Sequence, residues 1–289
     1  MSLRQFIAKL IEYAQRLRGA VEVSDPTTPD TPVPPPSAAP PSLMLTTFLH
    51  NNLRETTLEL LALPRDEYLS RLTALRRRGC NCAVVYFANQ GDTKYGWQGL
   101  NPFLGGRWMG EISPEHWSRF DEYVRLAHGK GIWLIPCLVP DDSRSIHSAM
   151  ERDQDCVRRL TEQLWTRYRH SVCGWMLCLE GNEYPNAAAA WVKAGQWLMD
   201  RDAPNVGAHS CKGSTWATNR FKGNCIYYQH KGTGSGNWNQ TAASVATDVA
   251  RLRRELGVKV FSLEVEKNGD LDLANAAIDA GAVGTGAWV

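Results

Sequence analysis

The sequence lacks the patterns that identify several protein classes at once. No run of 18 apolar residues occurs, so the sequence predicts no membrane-spanning helix. The first segment of the chain lacks the continuous apolar core of a signal peptide, which predicts synthesis and folding in the cytoplasm. There is no CxxC motif and no paired spacing of Cys and His ligands, so we expect no bound metal.

An excess of charge of one sign is also missing. The 289-residue chain has a formal net charge of +2 at pH 7, which is too close to neutral to indicate a nucleic-acid-binding surface. Hydrophobic residues make up 43% of the chain and are sufficient for the core of a soluble globular protein. Most of the eight cysteines fall inside predicted strands, and we interpret them as small buried thiols in a reducing compartment.

The first 42 residues differ in composition from the rest of the chain. Residues 1–20 carry apolar side chains at helical spacing and predict an amphipathic anchor or oligomerisation helix. Residues 21–42 include eight prolines between Pro26 and Pro41 and predict an extended linker. Because an apolar helix face must be buried, we expect this helix to dock on the rest of the chain, to self-associate or to bind a partner protein.

Residues 43–289 predict a (β/α)8 barrel, because apolar strands alternate there with helical patterns over about 250 residues. A doubly wound open sheet is the alternative, but no GxGxxG motif follows the first strand. The sequence stops directly after the eighth strand, so we expect the usual last helix to be absent and the N-terminal helix to fill its groove. The predicted strands are 43–50, 81–89, 132–139, 172–180, 206–211, 224–230, 258–266 and 283–289.

Helix ends are marked by capping residues. Ser113-Pro114 predicts the start of one helix, and Gly257 predicts the end of another that begins near Gln240. A continuous helix is expected over residues 147–169, ahead of the fourth strand.

Two of the predicted strands end in carboxylates. Glu180 and Glu183 end the fourth strand, in GWMLCLEGNEY, and Glu264 and Glu266 end the seventh, in VKVFSLEVE. Barrel active sites lie at the C-terminal ends of the strands, and two carboxyl groups at one mouth are what glycoside hydrolysis requires.

Side-chain alternation in the seventh strand gives a further expectation. Phe261, Leu263 and Val265 share one parity, whereas Glu264 and Glu266 share the other. We therefore expect the apolar set to face the helices and both glutamates to face the barrel mouth.

The chain resembles the clan A, or 4/7, retaining glycoside hydrolases, the cellulase- and mannanase-like barrel enzymes. The resemblance rests on Asn182-Glu183 at the end of strand four and on Glu264 in FSLEVE at the end of strand seven. It implies that Glu183 is the acid/base and Glu264 the nucleophile, and that no cofactor is required. Because the usual glycine does not follow strand seven, Glu266 stays open as an alternative nucleophile.

The resemblance also implies substrate-binding roles. Asn182 is expected to hold the 2-hydroxyl of the sugar, and His209 and Tyr228 to orient the two carboxylates, with Tyr227 as an alternative to Tyr228. Aromatic faces in loops at the mouth suit stacking on sugar rings. The remaining substrate-binding candidates are Asn89, Trp216, Trp238 and Trp288.

The leading hypothesis is a retaining glycosidase that cleaves a poly- or oligosaccharide. The alternative is a non-catalytic carbohydrate-binding or structural barrel in a larger assembly such as a phage particle, because an anchor, a linker and a barrel without a signal peptide suit a virion component. A third hypothesis, a metal-dependent hydrolase, needs histidines that converge at strand ends, and His50, His209 and His230 are the strand-end candidates.

Overall fold

The computed structural model describes residues 44–48, 65–77, 79–87, 103–140, 144–232, 240–266 and 272–287. The predicted N-terminal helix (1–20) and linker (21–42) lie outside the described residues, so their boundaries stay predictions. Within the described part of the chain, no helix is long and apolar enough to cross a membrane.

Parallel strands and helices alternate along the described chain, and every strand pairing is parallel. The strands lie within a few residues of the predicted segments, although the fourth is much shorter than expected. They are β1 (Met44–Phe48), β2 (Cys82–Tyr86), β3 (Trp133–Cys137), β4 (Trp175–Met176), β5 in two segments (Val206–Gly207 and His209–Ser210), β6 (Cys225–Gln229), β7 (Lys259–Glu266) and β8 (Gly284–Ala287).

Strand β5 closes the sheet into a barrel. Its first segment pairs with β4 and its second with β6, so the two segments stand at opposite ends of the strand order β5-β4-β3-β2-β1-β8-β7-β6-β5. Strand β1 pairs with both β2 and β8 and completes the circle. The predicted (β/α)8 barrel is therefore confirmed, and the open doubly wound sheet is wrong.

Helices cover the outside of the barrel. The capping predictions are confirmed for two of them: the Ser113 hydroxyl accepts from the His116 N–H at the start of α2, and Gly257, at φ 67°, ends α7. The helices are α1 (Arg65–Arg77), α2 (Pro114–Gly129), α3 (Arg144–Arg152), α4 (Cys156–Tyr168), α5 (Ala188–Met199), α6 (Trp216–Arg220), α7 (Ala242–Leu256) and α8 (Asp272–Asp279).

The expected single helix over 147–169 is wrong, because α3 ends at Arg152 and α4 begins at Cys156. Asp153 lies between them and accepts a hydrogen bond at Oδ1 from the Asp155 N–H, 3.0 Å away. A short acidic side chain that binds a nearby backbone N–H competes with helical hydrogen bonding, and this interrupts the helical pattern.

The barrel interior is apolar. Alternate side chains of β2, β3, β6 and β7 form one buried cluster that includes Tyr86, Ile135, Tyr227, Phe261 and Leu263. The intervening side chains pack in the helix layers. All eight cysteines are buried and none is bridged, which confirms their interpretation as buried thiols.

The predicted parity of β7 is wrong for its apolar residues. Phe261 lies 4.9 Å from the Tyr227 ring inside the barrel, whereas Val260 packs outside against α7. Layers of large apolar side chains fill a closed barrel, so hydrophobicity does not distinguish the two faces of its strands.

Candidate active site

The loop after β4 presents two carboxylates at the barrel mouth. Glu180 has a φ of 47°, and its carbonyl accepts from the Glu183 N–H at 2.8 Å, which closes a tight turn. Between them, Gly181 donates its N–H to the His209 carbonyl of β5. A Cβ atom at Gly181 would lie 2.6 Å from the Cys178 sulfur, so only glycine allows the turn to pack this closely against Cys178.

His209 is fully buried and lies between the ends of β4 and β7. Its Nδ1 accepts from the Glu180 N–H at 3.0 Å, which places the ring hydrogen on Nε2. The Nε2 atom lies 3.9 Å from Glu264 Oε1, which is near but beyond hydrogen-bonding distance. Burial lowers the pKa of His209 to about 3, so the ring is neutral at physiological pH.

The two residues after β5 contact the predicted acid/base. The Lys212 ammonium forms an ion pair with Glu183 Oε1, and the Cys211 sulfur lies 3.6 Å from the same oxygen. Glu183 raises the pKa of Lys212 through this hydrogen bond, so the lysine is charged. Burial raises the pKa of the Cys211 thiol, and the charges of Glu180 and Glu183 raise it further.

The predicted nucleophile Glu264 is 3% exposed and faces the inside of the mouth. Its Oε2 accepts from Gln229 Nε2, the side chain that ends β6, at 2.5 Å. Leu263 is also interior, so two consecutive residues of β7 face the same way. This follows from an irregular register in which β7 advances from Ser262 to Glu266 while β8 advances from Thr285 to Ala287.

The predicted orientation of Glu264 is therefore confirmed, although the alternation from which it was derived is not. The φ of Glu264 is 53°, and with the shifted register it turns the side chain towards Gln229 and His209. For Glu266, the side chain lies outside the described residues, and its role as alternative nucleophile stays a prediction.

Glu183 and Glu264 lie at one mouth and are joined through two residues. The Lys212 side chain binds Glu183, and its backbone N–H donates to Gln229 Oε1 at 3.2 Å. Gln229 then donates to Glu264. The structure thus brings the carboxylates of strands four and seven into one hydrogen-bonded network.

Sequence reasoning missed Lys212, Cys211 and Gln229. A signal for Gln229 was present, because it has the parity of the interior residues Cys225 and Tyr227 and ends its strand. For Lys212 and Cys211 the signal was only their position directly after the fifth strand.

The role predicted for Tyr228 is wrong. This residue packs in the helix layer with Val245 and Val249 of α7, and its hydroxyl lies beside Asp248 and Arg251. Successive residues of a strand face opposite sides of the sheet, so the neighbour Gln229 contacts Glu264 instead.

The alternative Tyr227 does not reach the mouth either. It is interior, and its hydroxyl donates to the Asn205 carbonyl at 2.8 Å near the start of β5. In a parallel barrel the start of a strand lies at the end opposite the mouth.

The remaining substrate-binding candidates are placed as follows. Asn182 lies at the mouth, but its side-chain amide is bound to Cys211: Oδ1 accepts from the Cys211 N–H at 2.9 Å, and Nδ2 lies 3.4 Å from its sulfur. Trp216 begins the short helix α6, is partly buried against the core and carries the Arg220 guanidinium 5.2 Å from its ring. Asn89, Trp238 and Trp288 lie outside the described residues.

The histidines needed for a metal-dependent hydrolase do not converge among the described residues. His209 faces the interior, whereas His230 is buried behind the sheet between Ser262 Oγ, at 2.6 Å, and Asp248 Oδ2, at 3.0 Å. His50 lies outside the described residues. The His230 contacts resemble a Ser-His-Asp arrangement, but Ser262 is fully buried, and no substrate reaches its hydroxyl.

One set of donor atoms in the described residues has the proximity of metal ligands. The carboxylates of Glu180 and Glu183 and the Cys211 sulfur lie within 4.8 Å of one another. The Lys212 ammonium is bound to Glu183 in the same place, so a cation that used this oxygen would have to displace it. The arrangement is therefore satisfied by a lysine and carries no metal assignment.

Comparisons with known proteins give structural likenesses at low sequence identity. No protein-family model and no curated protein matches the sequence. A family 5 glycoside hydrolase from Bacteroides vulgatus ATCC 8482 matches with a TM-score of 0.60 and 18% identity over 86% of this chain and 58% of its own. A beta-glucosidase from Thermotoga maritima matches with a TM-score of 0.59 and 8% identity over 85% of this chain and 83% of its own.

An exo-beta-1,4-mannosidase from Opitutaceae bacterium strain TAV5 matches with a TM-score of 0.53 and 14% identity over 85% of this chain and 51% of its own. The chain spans 61% and 58% of the length of the first two solved structures it matches. Together with the closed barrel of eight parallel strands, these likenesses show that the chain has the (β/α)8 barrel fold of the glycoside hydrolases that it matches.

Proposed function

We propose that the protein is a retaining glycoside hydrolase in which Glu183 is the acid/base and Glu264 the nucleophile. The observation that carries the proposal is the network at the barrel mouth, in which Lys212 and Gln229 join the carboxylates that end strands four and seven. Its position at the C-terminal ends of the strands is that of barrel active sites, and a pair of carboxylates is the chemical requirement of glycoside hydrolysis.

The two carboxylates have environments suited to different roles. Glu264 is buried beside a neutral histidine and an amide donor, so it is held as an oriented nucleophile. Glu183 is more exposed, and it exchanges a proton with a leaving group or water when the Lys212 ammonium gives way to that group. Attack by Glu264 on the anomeric carbon gives a glycosyl ester while Glu183 protonates the departing oxygen. Glu183 then takes a proton from the water that cleaves the ester.

The structural neighbours suggest which substrates to use first. Two of them are named as a beta-glucosidase and an exo-beta-1,4-mannosidase, so β-linked glucosides and mannosides are the first class to try. A 2,4-dinitrophenyl leaving group departs without protonation and separates the two steps of the reaction. We expect wild-type protein to hydrolyse such a glycoside with retention of anomeric configuration, observed by proton NMR of the first product.

Azide rescue assigns the roles. In Glu183→Ala we expect a loss of turnover of about 10²- to 10⁴-fold on unactivated glycosides, the usual contribution of a proton-transfer group. With the dinitrophenyl substrate and azide, this variant should give the β-glycosyl azide, because azide attacks the enzyme ester. In Glu264→Ala the same reagents should give the α-glycosyl azide by direct displacement.

Two further variants complete the experiment. Glu162→Gln removes an exposed carboxylate of α4 and should retain wild-type turnover. Glu266→Ala distinguishes the nucleophiles: rescue of this variant to the α-azide, with full activity in Glu264→Ala, would transfer the role to Glu266. Full activity of Glu183→Gln on an unactivated substrate would overturn the acid/base assignment.

One observation favours the alternative of a non-catalytic carbohydrate-binding barrel. The groups implied for catalysis at the end of β4 are engaged within the protein, Glu183 with Lys212 and Asn182 with Cys211. Calorimetric binding of an oligosaccharide without any release of product over days would support this reading instead of hydrolysis. The larger assembly and the phage particle belong to the same alternative proposal.

A further inference from the structure

Gln229 has surroundings that fix the direction of its amide. The residue is 1% exposed, its Oε1 accepts from the Lys212 backbone N–H at 3.2 Å, and its Nε2 donates to Glu264 Oε2 at 2.5 Å. In the reversed orientation the amide nitrogen would face a backbone donor and the carbonyl oxygen would face a carboxylate. Both contacts would be repulsive, so only the observed orientation is satisfied.

Lys212 links this amide to the other carboxylate. Its backbone N–H holds Gln229, while its side chain binds Glu183. The φ angle of Lys212 is 58°, which is unusual for a residue with a side chain. Lys212 has this backbone conformation while its N–H binds Gln229 and its ammonium binds Glu183. One residue thus sends its main chain to the nucleophile side of the mouth and its side chain to the acid/base side.

We propose that Lys212 and Gln229 are positioning residues that hold Glu183 and Glu264 in a fixed mutual arrangement, with Gln229 as the obligatory hydrogen-bond donor to the Glu264 carboxylate. The inference rests on the proposed function in that Glu183 and Glu264 are its reacting groups. It goes further in that it assigns two residues which neither the sequence motifs nor the comparisons identify.

The donor role has a consequence that can be measured in the titration of Glu264. An amide N–H stabilises the ionised carboxylate, whereas a second carboxylate at the same place would share one proton with it. The titratable groups that other described elements place at the mouth with Glu264 are His209 on β5, Lys212 after β5, and Glu180 and Glu183 after β4. Because none of these is altered in a Gln229 variant, a change in the Glu264 titration reports on the amide.

The experiment follows the side-chain carboxyl carbons of the full-length protein labelled with 13C-glutamate by NMR from pH 3 to 9. The Glu264 resonance is assigned by its loss in Glu264→Gln. We expect the Glu264 midpoint to rise by at least one pH unit in Gln229→Glu and by a smaller amount in Gln229→Leu, which removes the donor without adding charge. A midpoint that stays within about 0.3 pH unit of wild type in both variants would overturn the proposal.

Matched controls separate positioning from general damage. Gln196 also donates its amide to a carboxylate, Asp200, but on the exposed surface of α5, so Gln196→Glu makes the same chemical change away from the mouth. It should leave the Glu264 midpoint unchanged. If Gln229→Glu does not fold, the uncharged Gln229→Leu carries the test.

The part of the proposal that concerns Lys212 is tested with a separate variant. Lys212→Met removes the ammonium from Glu183 but keeps the backbone donor to Gln229. The Glu183 resonance, assigned with Glu183→Gln, should move by more than the Glu264 resonance. Equal movement of both, or movement of Glu264 alone, would contradict the division of contacts between the main chain and side chain of Lys212.

The titration needs no substrate, so the two proposals fail in different ways. Absent turnover with a shifted Glu264 midpoint would support the positioning role of Gln229 and contradict the glycosidase function. Retained turnover with an unshifted Glu264 midpoint would support the glycosidase function and contradict the positioning role of Gln229.

Discussion

At the residue scale, the burial of histidines determines how the stability of the folded protein depends on pH. His209 is fully buried and neutral, and His116 is buried against the Phe87 carbonyl at 3.2 Å with a pKa lowered to about 4. A histidine whose pKa is lower in the folded protein than in the unfolded chain binds its proton first in the unfolded state. Stability from such a group is complete above the ordinary pKa of about 6.5 and is lost as pH falls below it.

This gives a pH-dependence for His209. Between pH 7 and pH 5 the folded protein should lose about 2 kcal/mol of unfolding free energy through His209, since its folded pKa of about 3 leaves it unprotonated throughout. In His209→Asn, the difference between urea unfolding free energies at pH 7 and pH 5 should be smaller by that amount. The exposed His170→Asn serves as control and should keep the wild-type difference.

At the scale of elements, close packing constrains α5. Gly195 lies on this helix where a Cβ would meet Leu177 Cδ1 at 2.5 Å and Phe221 Cζ at 2.6 Å. Both neighbours are core atoms that cannot move freely, so the glycine sets how closely α5 approaches the barrel.

Substitution of this glycine should therefore destabilise the protein. Alanine is favoured over glycine in a helix by about 1 kcal/mol, but overpacking of a core costs about 1–3 kcal/mol. We expect Gly195→Ala to lower the unfolding free energy, as measured by urea denaturation. Gly129→Ala, in α2, has no atom near the added Cβ and should be neutral or stabilising, and an equal loss in both variants would contradict the packing argument.

The elements also show what the sequence could predict. The eight strands follow from apolar segments bounded by glycine and proline, and the starts and ends of α2 and α7 follow from caps that act locally. The break at Asp153 and the register irregularity of β7 depend on single hydrogen bonds and on the neighbouring strand. The motifs at the strand ends were sufficient to predict the position of Glu183 and Glu264. The contact between Gln229 and Glu264 could not be predicted in this way, because it depends on which face of β6 points into the barrel.

At the scale of the whole molecule, the predicted N-terminal helix remains to be tested. If residues 1–20 dock on the barrel, in the same chain or in a neighbouring copy, deletion of residues 1–42 should lower the melting temperature or change the oligomeric state. Differential scanning calorimetry and light scattering measure the two properties. An unchanged melting temperature together with an unchanged mass would exclude docking and self-association and leave an unidentified partner protein.

The three charged residues that turn into the mouth, Glu180, Lys212 and Glu264, have φ angles of 47°, 58° and 53°. Each conformation costs on the order of 1–3 kcal/mol that glycine would avoid. Under the proposed function, thermal stability favours glycine at Lys212 and Glu264, whereas the site requires their side chains. A lineage that keeps both side chains under thermal selection is using them, whereas a lineage released from that use would drift towards glycine there before its core changed.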